Sequence, residues 1–326
     1  MKSDFKKFIE HLRKNKSFIV ASHANPEGDA VSSTLAIAYI LKRMKKSVYI
    51  YNADKFPCQF SYLPLFREVK QTLPKNKRFD MAIIVDCSKI ALAGEKLVHF
   101  LESNVRITAK IDHHKTNDNF ADVAIIDPLA SATGDLIYSL IKKMGLKIDL
   151  PCANCIYTSI SCDTGSFHFP NSNLRAFKIA SEMVDLGVKP WEIAENVYEH
   201  EPVRKLKLLE RALSTLDVTD GGRVASVFIT KGMLDETGST RGDTEGLINY
   251  PRSIDGVKIA LMFREINNRK YKVSLRSKNE IDVSKIAEKF GGGGHKGAAA
   301  FIFENTFRNA KSAVLKEIKK ALKLHG

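Results

Sequence analysis

No run of about 20 uninterrupted apolar residues occurs in the chain, because Lys, Asp, Asn or Ser breaks each one earlier, and this excludes a membrane-spanning helix. The opening Met1-Lys2-Ser3-Asp4-Phe5-Lys6-Lys7 also lacks the apolar stretch of a secretory signal. The expectation is a soluble, cytoplasmic protein with no membrane partner. Cysteine is scarce and odd in number: Cys58, Cys87, Cys152, Cys155 and Cys162. An odd count without a signal argues against a disulfide framework. Cys152 and Cys155 have the spacing of half a zinc site, but no second pair exists. Together with Cys162 they fall at helical spacing in an apolar stretch, which reads as buried, inert thiols. There is no internal repeat, and the only low-complexity tract is Gly291–Gly294.

What is present is ordinary globular composition: 326 residues, 44% hydrophobic and 27% charged. At roughly 100–200 residues per domain this length suggests two domains. Lys and Arg number 51 against 37 Asp and Glu, a formal charge of +14. Such an excess favours polyanionic partners, namely nucleic acid, nucleotides or phosphorylated metabolites. Part of it has a plainer reading, since Lys42-Arg43-Met44-Lys45-Lys46 fits a solvated helix face.

Five short β-branched runs lie between Ser17 and Asp127: Phe18–Ala21, Val48–Tyr51, Met81–Val85, Val105–Ile111 and Val123–Ile126. Continuous apolar runs of this length suit strands buried on both faces of a parallel sheet. Helical periodicity appears over Ala30–Lys46 and Ser131–Gly145, then at about 151–162, 173–187 and 203–216. Strands alternating with helices predict an α/β domain with a parallel sheet. Beyond Arg223 strand-like runs dominate (Val224–Thr230, Lys258–Phe263, Tyr271–Arg276, Ala298–Phe303), with helices expected at Val283–Phe290 and about 308–324. The expected organisation is a parallel-sheet domain over 1–190, a helical connector over 191–220 and a smaller α+β domain over 221–326.

In a parallel sheet, ligands bind outside the carboxyl ends of the strands. The first run is followed by Ser22-His23-Ala24-Asn25-Pro26-Glu27-Gly28-Asp29, the third by Asp86, and the fourth by Asp112-His113-His114. The helix starting near Pro151 leads into Asp163-Thr164-Gly165. Each alone has a plain explanation: Asp29 could cap a helix, Asp163 could hold a turn, and His113 could be a satisfied imidazole. Together they would repel one another and raise each other's pKa. A cation resolves that repulsion. Carboxylates with imidazoles suit manganese, zinc or iron, and oxygen-rich sites lean to manganese or magnesium. The ligands are too many for one ion, so two ions sharing a bridging carboxylate are expected.

His23-x3-Glu27-x-Asp29, Asp86, Asp112-His113-His114 and Asp163 resemble, in order and spacing, the four motifs of the DHH phosphoesterase family. Ser274-Leu275-Arg276-Ser277 and the run from Gly291 through Gly293, Gly294 and His295 to Ala299 resemble that family's associated C-terminal domain. The resemblance spans roughly residues 18 to 303 and is nearest to the stand-alone nanoRNase and 3′-phosphoadenosine 5′-phosphate phosphatase group. It implies two divalent ions, manganese first and magnesium second. His23, Glu27 and Asp86 would hold one; Asp29, Asp86, His113 and Asp163 would hold the other. His114 would face the scissile phosphate as stabiliser or proton donor, Asp112 would orient the histidines, and an acidified water would attack. Where the family has Asp, this chain has Glu27, one methylene longer. Arg276, Gly293, Gly294 and His295 would bind substrate, although Arg276 could be a plain surface charge and the Gly run a linker.

The expected activity is therefore two-metal hydrolysis of very short oligoribonucleotides, with 3′-phosphoadenosine 5′-phosphate as a related substrate. A cyclic or linear dinucleotide phosphodiesterase and, lower, an inorganic pyrophosphatase share the same site. A nucleic-acid-binding module with a decayed site is the non-enzymatic alternative, opposed by the filled ligand positions.

Overall fold

Val, Ile and Phe leave the backbone extended and bury well on a pleated surface, and each of the five early runs is a strand: β1 (Ser17–Ala21), β2 (Ser47–Ile50), β3 (Phe79–Val85), β4 (Val105–Asp112) and β5 (Val123–Ile126). This computed structural model describes residues 4–278 and 281–324; the side chains of His295, Lys323 and Leu324 lie outside the description. All five strands are parallel, in the order β2-β1-β3-β4-β5. The chain passes from β1 outward to β2 and then back across to β3, so the order reverses at β1. Crevices at the carboxyl ends of strands beside such a reversal are where parallel sheets take ligands.

Among the described residues seven α-helices accompany this sheet: α1 (Phe5–Lys14), α2 (Gly28–Arg43), α3 (Glu95–Asn104), α4 (Thr133–Met144), α5 (Leu150–Asp163), α6 (Leu174–Asp185) and α7 (Pro190–Tyr198). Helix α2 is buried almost all round, polar Ser32, Ser33 and Thr34 included. It lies against α4 and α5. Close approach is made by glycine: a Cβ on Gly28 would sit 2.4 Å from Cys162 Sγ, and one on Gly134 2.1 Å from Ser159 Oγ. Cys152 and Cys155 are buried in α5, and burial pushes the Cys152 thiol up to about 12, so these are inert thiols as expected.

The chain divides into two compact units, Met1–His200 and Glu201–Gly326. The division falls inside the stretch 191–220 read as a connector. Helix α7 belongs to the first unit. Helix α8 (Val203–Leu213) belongs to the second, where it buries Leu208 and Ala212. The rest of the second unit is β6 (Asp217–Thr219), β7 (Val224–Ile229), α9 (Lys231–Thr237), α10 (Asn249–Ser253), β8 (Ile259–Asn267), β9 (Lys270–Ser277), α11 (Ser284–Glu288), β10 (Gly293–His295), β11 (Ala298–Glu304) and α12 (Phe307–Leu324). Its sheet runs β10-β11-β9-β8-β7-β6, with β7 and β8 parallel and the other pairs antiparallel. Side chains alternate faces. Ile259, Leu261, Phe263, Val273 and Leu275 join Ile286, Val314 and Ile318 of α11 and α12. Ala260, Met262, Val227 and Ile229 join Leu208, Leu234 and Ile248 on the opposite face.

The glycine run is an element of this sheet. Gly293 and Gly294 pair with Ala300 and Ala299 in β10. At Gly294, φ is 145° and a Cβ would lie 2.4 Å from the Ala298 carbonyl, so only glycine lets the strands approach there.

Candidate metal centre

Strand ends bring the chemistry together. His23 follows β1, Asp86 follows β3, and Asp112 ends β4 with His113 and His114 directly after it. Asp29 lies in the first turn of α2, where the helix dipole favours a carboxylate. It is not the cap of that helix; Glu27 occupies the N-cap position and makes no side-chain capping bond. Asp163 is the last residue of α5. Asp86 has φ 51°, a left-handed conformation that Asp tolerates better than most residues.

Two groups of potential ligand atoms each lie within 4.8 Å of one another: Asp86, His113 and His114, and Asp29, His113 and Asp163. His113 Nε2 is common to both. It stands 3.7 Å from Asp29 Oδ2, 3.7 Å from Asp86 Oδ1 and 3.8 Å from Asp163 Oδ2. His23 Nε2 is 3.7 Å from Asp86 Oδ2. The other ring nitrogens are engaged: His23 Nδ1 with the Ala24 carbonyl at 2.7 Å, His113 Nδ1 with the Ala130 carbonyl at 3.4 Å, His114 Nδ1 with Asp112 Oδ1 at 2.7 Å. A carbonyl partner makes Nδ1 the donor and leaves the Nε2 lone pair facing the carboxylates, the tautomer a metal ligand needs.

The carboxylates are held just as firmly. Asp29 accepts from Ser33 Oγ at 2.8 Å, Ser159 Oγ at 2.5 Å and Thr133 N at 2.8 Å. The Thr133 hydroxyl also donates to Asp86 Oδ1 at 3.1 Å, so one residue ties both acids. Asn171 Nδ2 donates to Asp163 Oδ2 at 3.0 Å and to the carbonyls of Asp163 and Ser131. The turn between Asp163 and Asn171 is unusual, with Gly165, Ser166 and Phe167 all left-handed at φ 58°, 55° and 63°. Behind the loop, Arg175 joins Asp127 and the fully buried Asp135, fixing the start of α4 against α6. Lys110, 1% exposed, donates to the Asp118 carbonyl and anchors the segment after the histidines.

The charges are frustrated without a cation. Burial, then the Asp86 charge, pushes Asp29 up to about 6. Burial pushes Asp163 up to about 7 although His113 opposes it. Burial acts the same way on Asp86, but the imidazoles of His23, His113 and His114 beside it outweigh it and hold that carboxyl well below the usual range. Burial favours neutral imidazoles, yet the surrounding acids raise His23 and His113 to about 9 and raise His114 as well. Among the described residues, one oxygen of fully buried Asp112 has no hydrogen-bond partner. Three carboxylates and imidazoles gathered this closely fit a divalent cation, with a donor set suited to manganese, zinc or iron.

The structure thus brings together His23, Asp29, Asp86, His113, His114 and Asp163, with Asp112 behind His114. Glu27 stands apart: it is exposed and outside both groups, though its charge reaches His23. In the second unit, Arg276 is half-buried on β9, where its Nη1 donates to the Leu275 carbonyl. Gly293 and Gly294 lie on β10, and the side chain of His295 lies outside the described residues. Sequence reasoning missed Thr133, Ser33, Ser159 and Asn171. The available signal was polar residues in apolar helices: Ser33 in α2 and Ser159 in α5 had no surface to face.

The chain is similar to known proteins in sequence and in fold. The N-terminal domain of the DHH family matches residues 17–160, and the DHHA1 domain matches residues 221–324. A bifunctional oligoribonuclease and PAP phosphatase NrnA of Thermus thermophilus is 28% identical over 86% of this chain and 82% of its own length. The protein of the same name from Bacillus subtilis is 27% identical over 90% of this chain and 92% of its own. Among solved structures, an exopolyphosphatase-related protein from Bacteroides fragilis superposes with a TM-score of 0.88 at 26% identity, over 98% of this chain and 96% of the other. With residues that could hold a metal ion gathered at the strand ends and two successive domain matches between residues 17 and 324, the chain is a hydrolase that belongs to the DHH phosphoesterase family.

Proposed function

We propose that the chain is a two-metal phosphoesterase that hydrolyses very short oligoribonucleotides to mononucleotides and also accepts 3′-phosphoadenosine 5′-phosphate. The observation that carries the reading is His113 Nε2 lying 3.7–3.8 Å from three different carboxylates, a convergence that calls for cations. The substrate class follows the NrnA relatives, whose matches run over most of both chains.

In this reading His23, Glu27 and Asp86 hold one ion, and Asp29, Asp86, His113 and Asp163 hold the other. Glu27 joins by turning its exposed side chain inward. When bound, divalent ions supply Lewis acidity at the phosphoryl oxygens and a water acidic enough to attack near neutral pH. The chain's own groups do the rest. Thr133 fixes the distance between Asp29 and Asp86. Ser33 and Ser159 hold one Asp29 oxygen, which leaves the lone pairs of the other in fixed directions. Asn171 does the same for Asp163. The Asp112 carboxylate holds His114 Nδ1, and His114 in this reading faces the scissile phosphate, to stabilise it or to give a proton to the leaving oxygen. In the second unit, Arg276 on β9 offers a guanidinium fork for a substrate phosphate, and the Gly293-Gly294 backbone of β10 lies on the same sheet with β11 between them.

The test is turnover with manganese, and separately magnesium, against oligoribonucleotides from two to about twenty-five units, cyclic dinucleotides, 3′-phosphoadenosine 5′-phosphate and pyrophosphate. The expected result is metal-dependent release of mononucleotides, fastest on the shortest chains. Full activity after exhaustive chelation removes the two-metal reading. Preference for pyrophosphate or a cyclic dinucleotide removes the substrate assignment.

A further inference from the structure

Arg264 is a buried cation with no counterion among the described residues. It lies near the end of β8 and is 5% exposed. By alternation it shares a face with Ala260 and Met262, the face covered by α8, α9 and α10. Among the described residues its side chain makes no hydrogen bond and no ion pair. The acids nearest in sequence are engaged elsewhere. Glu265, on the opposite face, accepts from Lys231 N at 2.9 Å. Asp243, the buried acid of the loop between α9 and α10, takes Arg204 Nε at 3.0 Å and both Thr240 N and Thr240 Oγ. The charge that does reach Arg264 is another guanidinium, exposed Arg241, and with burial it lowers the Arg264 pKa. Its cross-strand neighbour on β9 is Lys272, a third cation.

Folded proteins rarely leave such a group unpaired. A buried charge without a partner is costly, and like charges beside it add to the cost. The nitrogens of Arg264 are nonetheless not among the atoms sealed from solvent without a partner. The side chain is covered and its charge is unanswered, the arrangement of a receptor for an anion. Arg276 lies on the same sheet face. Register pairs Ala260 with Arg276 and Arg264 with Lys272, so the two arginines are four residues apart along the strands, about 13 Å.

We propose that Arg264 and Arg241 form a phosphate-binding site in the second unit, distinct from the metal centre. The guanidinium fork of Arg264 takes two phosphate oxygens, and Arg241 closes over the anion from the loop. The phosphate is either free or borne by a nucleotide. In both cases bound phosphate is the counterion that the fold lacks.

The test uses the full chain stripped of metal by chelation, so hydrolysis plays no part. Failure here leaves the phosphoesterase reading standing, and failure of that reading leaves this site. Thermal melts are followed as inorganic phosphate or adenosine 5′-monophosphate replaces chloride at constant ionic strength. The wild type is expected to gain several degrees, saturably. Arg264→Gln and Arg264→Met are expected to melt at or above the wild type in chloride, because they remove an unpaired buried charge, and to bind phosphate roughly tenfold more weakly or worse. Arg241→Ala, a surface change that leaves packing alone, should also weaken phosphate binding and should not lower the melting temperature in chloride. Anion binding at the histidine cluster or at Arg276 appears equally in wild type and variants and cancels. Half-saturation by the nucleotide at a much lower concentration than by inorganic phosphate assigns the anion to a nucleotide; equal concentrations assign it to free phosphate. An Arg264→Gln protein that is less stable in chloride yet keeps the full phosphate response overturns the proposal, as does a wild type with no response beyond chloride.

Discussion

Filling the metal centre should expel protons in a number the site's electrostatics set. Without cations, His23 and His113 titrate near 9, Asp163 near 7 and Asp29 near 6. At neutral pH that leaves both imidazoles charged, Asp163 about half protonated and Asp29 about a tenth. Metal ligation needs neutral imidazoles and ionised carboxylates, so roughly two to three protons leave when the centre fills. By linkage, the combined affinity for the ions should rise by about two to three decades per pH unit near neutrality. Metal titration calorimetry in buffers of different ionisation enthalpy counts the protons directly.

Stability of the metal-free fold carries the same information. A raised pKa means that the folded chain keeps a proton the unfolded chain has released. For Asp29 and Asp163 that window runs from the ordinary carboxylate range to about 6 and 7, and for His23 and His113 from 6.5 to about 9. Stability from these groups is complete below their unfolded pKa values and is lost as pH rises through the folded ones. Asp86 runs the other way, because its carboxyl is held low. Its contribution is present at neutral pH and is lost only in acid. The chelated protein should therefore melt at progressively lower temperature from about pH 5 to about pH 9, while manganese flattens the dependence. Asp163→Asn should remove part of the slope. No proton release on metal binding, together with a melting temperature that is flat or rising over this range, would refute the assignment of these residues as a metal centre.

If Asp86 serves both ions as proposed, Asp86→Ala should lower kcat by several orders of magnitude and reduce the bound ions, measured by metal analysis; two retained ions would refute the sharing. Glu27→Asp should stay active and change only which metal serves best, since ligand type is kept and reach shortened; loss of turnover in every metal would give Glu27 another role. Gly134→Ala should cost metal affinity out of proportion to stability, because its Cβ would lie 2.1 Å from Ser159 Oγ and drive that hydroxyl off Asp29; unchanged affinity by calorimetry would show that Ser159 does not position Asp29. Arg276→Ala should lower kcat/KM on dinucleotides and leave metal binding intact, and rates measured against length should fall beyond about five units, since remote binding energy aligns the reacting phosphate.

The elements that sequence shows best are those with dense apolar runs. All five strands of the first sheet stand within two residues of theirs, although β2 and the first half of β4 are partly exposed. Helix α1, by contrast, buries only Phe8 and Leu12 among Lys, Glu and His, and α3 only Leu97 and Leu101. A stripe that thin on a charged helix resembles loop composition. Strand β10 was hidden for the opposite reason. A glycine run has no side-chain pattern, and only the close passage of β11 over Gly292 and Gly294 explains why nothing larger stands there.

The site divides along the same physical line. Residues that carry charge toward the strand ends were legible because charge has nothing to do in a buried position except bind or repel. The residues that hold them were not, because Thr, Ser and Asn at such places look like ordinary helix starts and turns. Thr133 opens a helix, as threonine often does, yet its hydroxyl and amide serve two acids on other elements, 47 and 104 residues away in sequence. Arg264 inverts the case. Its position in an apolar strand was visible, but an arginine there is unremarkable if an acid faces it. Only the structure shows that Asp243 is engaged with Arg204 and Glu265 with Lys231. A charged residue becomes evidence for a ligand when every partner that could have neutralised it is already bound to something else.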